Sequence, residues 1–170
     1  MALLTKGRIW VTDEETQKQL LERGFGEDHG GKVLLSPEET LFLKEKRKDF
    51  PVHDHKKTDL DFEELMKKFV KLDKDFPRKY IVYRDLRSRG FIVKTGFKFG
   101  THYRVYGRGV RPGEGHAIWL VHAVPEEYKC DFQDFSRSIR LAQNVRKKMI
   151  YALVDKEGDI TYYKIERFKP

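Results

Sequence analysis

Apolar and polar positions alternate along this chain in two distinct regimes. The first 76 residues read as short strands set between helices. Gly7-Arg8-Ile9-Trp10-Val11 has the character of a short strand. Thr12, with Glu15 three residues on, predicts a capped helix that Gly24 stops. Lys32-Val33-Leu34-Leu35 is a second short strand. Ser36-Pro37-Glu38-Glu39 places a capping serine, a proline at the first helical position and a glutamate at the third, so a helix should run to about Asp49. Phe50 to His53 looks extended. Asp61 caps a third helix whose apolar stripe is Phe62, Leu65, Phe69 and Leu72.

Asp73-Lys74-Asp75-Phe76-Pro77 marks a boundary, and a helix starting at Pro77 carries Tyr80, Ile81 and Leu86 up to Gly90. Beyond it the pattern turns to strands. Phe91 to Phe97 is one, and Thr101 to Tyr106 is a second with alternating character. Residues 107–115 form a loop with four glycines. Ala117-Ile118-Trp119-Leu120-Val121 is a nearly unbroken apolar run, the mark of a buried central strand. Asp131 to about Val145 is amphipathic, with Phe132, Phe135, Ile139 and Ala142 on one side. Met149 to Val154 is a buried strand, residues 155–159 a tight acidic turn, and Ile160 to Ile165 an alternating final strand. These elements predict an α+β or α/β chain of two small domains: a mixed helix–sheet domain over 1–76 and a mixed-sheet domain flanked by helices over 77–170.

Composition excludes several classes. With 39% hydrophobic and 13% aromatic residues the chain is not disordered. At 170 residues it is too short for a TIM barrel. No apolar run approaches the roughly 18 residues that span a bilayer, so no membrane contact is expected. Lys6 and Arg8 interrupt an N-terminus without an apolar core, which predicts no signal peptide and a cytoplasmic protein. One cysteine, Cys130, supports neither a disulfide framework nor a cysteine zinc site.

Charge sharpens the picture more. The chain carries a net +8, but residues 1–76 hold 15 Lys+Arg against 17 Asp+Glu, a net of −2, and residues 77–170 hold 20 against 10, a net of +10. A basic domain attracts a polyanion, most often nucleic acid. A solvated Lys/Arg/Glu surface explains many of these charges but not their segregation.

Several residues are candidates for chemistry. His53 and His55 have H-x-H spacing, but no Cys or further His lies near and two lysines follow, so no metal site is expected. His29 reads as a solvated loop residue, and His102 and His122 as structural histidines. Glu127-Tyr128-Lys129 fits half of a metal-nuclease signature without an upstream aspartate. The loop over 107–115 is more informative. A nine-residue connection between strands can bring its ends together, so Tyr106 and His116 can share one sheet edge, with Arg108 and Arg111 in the loop able to hold phosphates. Histidine titrates near neutrality and suits general acid or base work, and nearby cations favour phenolate. Spacing alone also allows a Tyr and a His at strand ends with no task. Arg140 and Lys147 are seven apart, about two helical turns, and could share one face, with Lys147 where the helix gives way to the strand at Met149. Equally, they could be a wet basic face.

Three motifs then match a family in order. Phe97-Lys98-Phe99-Gly100 with Tyr103-Arg104-Val105-Tyr106, Gly113-Glu114-Gly115-His116-Ala117, and the run from Ser138 to Lys148 closely resemble archaeal tRNA-splicing endonuclease, the tRNA-intron endonuclease. The resemblance covers 77–170 well, and the N-terminal part is similar in length and layout to that family's N-terminal domain. It implies a catalytic Tyr106, His116 and Lys147 acting on intron-containing precursor tRNA at a bulge–helix–bulge. It implies metal-free attack by a 2′-hydroxyl, 2′,3′-cyclic phosphate and 5′-hydroxyl ends, and no cofactor. The Arg140 position implies a guanidinium that clamps a bulge base; Arg108, Arg111 and the adjacent Lys148 are the other candidate RNA contacts. Members of this length form homotetramers, dimers of dimers. The acidic turn Asp155, Glu157 and Asp159 could then dock in a basic cleft of another subunit, although hairpin turns favour Asp and Gly in any case. Two other readings remain open: a non-catalytic RNA-binding or structural subunit of such an endonuclease, and a metal-dependent DNA nuclease.

Overall fold

Lys6 and Gly7 have positive φ, +49° and +75°, and close a two-residue hairpin of the kind that matches strand twist. It joins β1 (Ala2–Thr5) to β2 (Arg8–Val11), with Thr5 opposite Arg8. The hydrophobic pattern does not show β1, because the unbroken apolar run Met1–Leu4 is too short to carry a period. The computed structural model describes all residues, Met1–Pro170, as two units, Met1–Pro77 and Arg78–Pro170. Residue 77 is uncharged, so the split of −2 and +10 holds for these units too.

In the first unit, β3 (Glu27–Asp28), β4 (Val33–Leu35), β2, β1 and β5 (Val52–His53) form one sheet in that order, with only β5 parallel to its neighbour. Ile9, Val11, Val33 and Val52 are fully buried, as are Leu20 of α1 (Glu14–Glu22), Leu41 of α2 (Pro37–Lys46), and Leu65 and Phe69 of α3 (Phe62–Leu72). Asp13, not Thr12, caps α1, because its carboxylate accepts from the Thr16 backbone at 3.1 Å. The Ser36 and Asp61 caps form full capping boxes with Glu39 and Glu64. Helix α2 ends at Lys46, short of Asp49, and Leu72 of the expected stripe is 69% exposed.

Glu39 is 3% exposed and does more than cap. One carboxylate oxygen accepts from the Ser36 N–H and the other from the Gly26 N–H, each at 2.9 Å. Glu39→Ala therefore removes half of a capping box and strands a buried donor. The unfolding free energy in denaturant should fall by about 2 kcal/mol, and a change within error would show that water replaces the carboxylate.

The second unit is built on a sheet ordered β10-β9-β8-β7-β6. Its strands are β6 (Phe91–Thr95), β7 (Tyr103–Arg108), β8 (Trp119–Pro125), β9 (Lys148–Val154) and β10 (Ile160–Ile165). Helix α4 (Phe76–Ser88) precedes β6, and α5 (Phe132–Asn144) connects β8 to β9. Those two strands are parallel and all other pairs antiparallel, as expected of a helical crossover inside hairpins. The apolar run around Trp119 does sit on the middle strand. The strand expected to run from Phe91 to Phe97 ends at Thr95, and Phe97–Phe99 forms a 3₁₀ turn instead. A Cβ on Gly96 would lie 2.8 Å from the Thr101 carbonyl oxygen, so the chain can fold back this closely only at glycine.

Period-2 alternation sorts the two faces. Leu120, Val124, Met149 and Tyr151 pack with Ala142 and Phe135 of α5. On the other face the Tyr83 and Tyr103 rings lie 6.0 Å apart, and Tyr103 Oη donates to the Lys79 carbonyl at 2.8 Å. Phe132 begins α5 but is 82% exposed, outside the stripe expected to hold it.

Candidate active site

Three neighbouring strands end at one edge of this sheet. Val105 of β7 lies opposite Trp119 of β8, which lies opposite Lys148 of β9. The ladder runs one step beyond the strands: the Ile118 N–H donates to the Val105 carbonyl at 2.8 Å, and the Lys148 N–H to the Ile118 carbonyl at 3.0 Å. Tyr106 follows Val105, His116 precedes Ile118 by two residues, and Lys147 precedes Lys148. Strands lie about 5 Å apart, so the β7, β8 and β9 backbones span roughly 10 Å at this edge.

Tyr106 shares the α5 face with Leu120, since Arg104 pairs with Leu120 and Tyr106 is two residues on. It is 6% exposed, packed among Ile92, Val110 and Ala117, with the Arg104 guanidinium 5.9 Å from its ring centre. Val110 comes from the glycine-rich loop, which thereby closes on the tyrosine. His116 is exposed where that loop leaves its Pro112–Gly115 bridge.

Lys147 reaches the edge by a different route from the one its spacing suggested. Helix α5 stops at Asn144. Arg146 takes a left-handed φ of +56°, and the Lys147 N–H reaches back to the Ala142 carbonyl at 2.8 Å, a Schellman-type end. Arg140 and Lys147 therefore do not lie on one helix. The ammonium donates to the Val145 carbonyl at 3.3 Å and lies 5.6 Å from the Phe99 ring centre. Arg140 is an exposed residue of α5.

The other expected RNA contacts divide. Arg108 is not in the loop but ends β7. Between the pairs Ile92–Tyr106 and Phe91–Arg108 the strand carries one extra residue, Gly107, and this β-bulge turns Arg108 to the face opposite Tyr106. Arg111 pairs with Glu114 within the loop, and this bond holds the Glu114 carboxyl below the usual range. Lys148 pairs with Glu166 at 3.1 Å. The turn residue Asp155 is occupied as well, accepting from the Glu157 and Asp159 N–H groups at 3.0 and 2.8 Å.

A cleft of about 580 Å³ opens beside Lys147. Arg146, Lys148, Arg167 and Lys169 line it around one acid, Glu166. Arg146, Arg167 and Lys169 were not singled out from the sequence, because charge segregation marks a domain and not a cleft. Deeper on the same face, His102 Nδ1 accepts from the Ala123 N–H at 2.9 Å and packs edge-on against His122. Burial pushes the His122 imidazole below its ordinary value, consistent with a structural histidine.

Comparison with known proteins matches both units to family models. Residues 76–162 match the tRNA intron endonuclease catalytic C-terminal domain, and residues 1–66 match the tRNA intron endonuclease N-terminal domain. Similar curated proteins are called tRNA-splicing endonuclease. That of Pyrococcus horikoshii is 43% identical over 167 residues, 98% of this chain and 95% of its own length. That of Thermococcus kodakarensis is 43% identical over 98% of this chain and 96% of its own. That of Methanothermobacter thermautotrophicus is 39% identical over 89% of each.

Proposed function

This chain belongs to the tRNA intron endonuclease family, and we propose that it cuts at bulge–helix–bulge junctions with Tyr106, His116 and Lys147. Cleavage of introns from precursor tRNA is the activity its kinship carries. The finer reading is supported above all by the register of β7, β8 and β9, which brings a phenol-, an imidazole- and an ammonium-bearing residue to one sheet edge beside a basic cleft.

The chemistry balances without an outside reagent. The 2′-hydroxyl 5′ to the scissile phosphate attacks phosphorus and gives its proton to Tyr106, which enters the step as phenolate and leaves it as phenol. The bond from phosphorus to the 5′-oxygen breaks, and His116 protonates that oxygen. Lys147 offsets the negative charge on the non-bridging oxygens. The products are a 2′,3′-cyclic phosphate and a 5′-hydroxyl. The test is purified protein with intron-containing precursor tRNA, with and without EDTA, followed by end-group analysis. Full activity in EDTA and cyclic-phosphate ends are expected; loss of cleavage in the chelator would overturn the metal-free mechanism.

Assembly into a homotetramer is part of the same reading. The carboxylates of Glu157 and Asp159 are exposed at the tip of a turn in a domain of +10 and can dock in a basic cleft of another copy, whereas Asp155 is committed to the turn itself. Reversing Glu157 and Asp159 to lysine should shift the sedimentation profile from tetramer to dimer without unfolding the hairpin. An unchanged profile would remove the docking contact.

A further inference from the structure

The sheet face opposite Tyr106 carries a cavity of about 390 Å³ that the mechanism does not use. Its lining includes Phe91, Arg108, Trp119, Tyr162 and Lys164, with Arg89 of the turn after α4. The Phe91 and Trp119 rings meet at 4.8 Å between centres. The Arg108 guanidinium lies 5.0 Å from the Phe91 ring centre, and its Nε donates to the Arg89 carbonyl at 2.9 Å. That bond uses Nε and leaves the two terminal amino groups for a ligand. The nearby acid is already spoken for: Asp85 accepts from Tyr162 Oη at 2.7 Å and from Arg89 Nε at 2.8 Å. Lys164 has only a loose pair with Glu166, at 3.7 Å.

An aromatic wall alone would suit any apolar body, and a cation pair alone any anion. The two together fit a ligand with a flat π face and a negative charge, which is the chemistry of a nucleotide. The cavity's place agrees. Arg108 and Trp119 lie at the same strand-end edge as Tyr106 and Lys147, and the bulge at Gly107 is what sends Arg108 to this side. A strand of RNA crossing that edge meets the phosphate chemistry on one face and this cavity on the other.

We propose that the cavity is a nucleobase subsite, in which an unpaired RNA base stacks on Trp119 while Arg108 and Lys164 hold its phosphate. The choice of RNA rests on the endonuclease reading; the cavity chemistry does not. The sequence has two tryptophans, so Trp10→Phe leaves Trp119 as the sole indole reporter. Adenosine monophosphate and a short single-stranded oligoribonucleotide should each quench its fluorescence saturably. Arg108→Gln with Lys164→Gln should weaken that binding roughly tenfold, and Trp119→Leu should weaken binding of precursor tRNA by a similar factor. If Trp10→Phe does not fold, the difference in quench between the native protein and Trp119→Phe carries the same reading. No quench by either probe overturns the proposal. So does a fluorescence change that follows protein concentration without nucleotide, since a second copy would then cover the cavity. Failure of the native protein to cut precursor tRNA would instead overturn the endonuclease reading and leave the mononucleotide result standing.

Discussion

His116→Ala should lower the single-turnover rate of intron cleavage by about 10²–10⁴-fold while leaving affinity for precursor tRNA within about twofold. The leaving 5′-oxygen is a poor leaving group as an alkoxide, so a proton delivered in the transition state is worth most at this step. An imidazole suits the task because it holds a transferable proton near neutral pH. Affinity should survive because the cations around Lys147 stay available to phosphates whether or not a proton moves. His116 is exposed, so its removal leaves no cavity, and thermal stability should stay within a degree or so. The decisive comparison is rate against filter-binding affinity. Equal loss of both would make His116 a binding residue, and partial rescue by free imidazole would secure its role as acid.

Much of the fold was legible because it is encoded locally. Ser36 and Asp61 announced their helices through side-chain bonds that close within three residues, and the run at Trp119 announced a middle strand because Leu120 and Val121, on opposite faces, are both buried. The hairpin at Lys6-Gly7 was missed although its turn chemistry was present, since β1 is too short to show a period. The site divides the same way. Tyr106 and His116 could be paired from loop length, but their common edge with Lys147 depends on strand register, which no local pattern states. Two placements failed for one reason: a single residue altered the geometry. The extra residue at Gly107 sends Arg108 to the opposite face from Tyr106, two residues away. The left-handed turn at Arg146 ends the helix before Lys147, so seven-residue spacing no longer means a shared face. Charge, in contrast, survived at the level of the domain and acquired a location only when the chain folded.

A precursor tRNA carrying 2′-deoxyribose immediately 5′ of one splice junction should remain uncut at that junction and be cut normally at the other. The expected loss at the modified site is complete within assay limits, larger than for any single side chain. Removing a general base or acid leaves the nucleophile in place and the reaction slowed, whereas removing the 2′-oxygen leaves nothing to form the new bond to phosphorus. Binding should change little, because one hydroxyl is a small part of an interface held by phosphate contacts. The same substrate separates the candidate chemistries. A metal-dependent nuclease that activates water would cut the deoxy site at nearly the normal rate and leave a 5′-phosphate, and that outcome would overturn the roles given to Tyr106, His116 and Lys147 together. Cleavage at the unmodified junction is the internal control, since it shows that the protein has folded, assembled and engaged the RNA in the same tube.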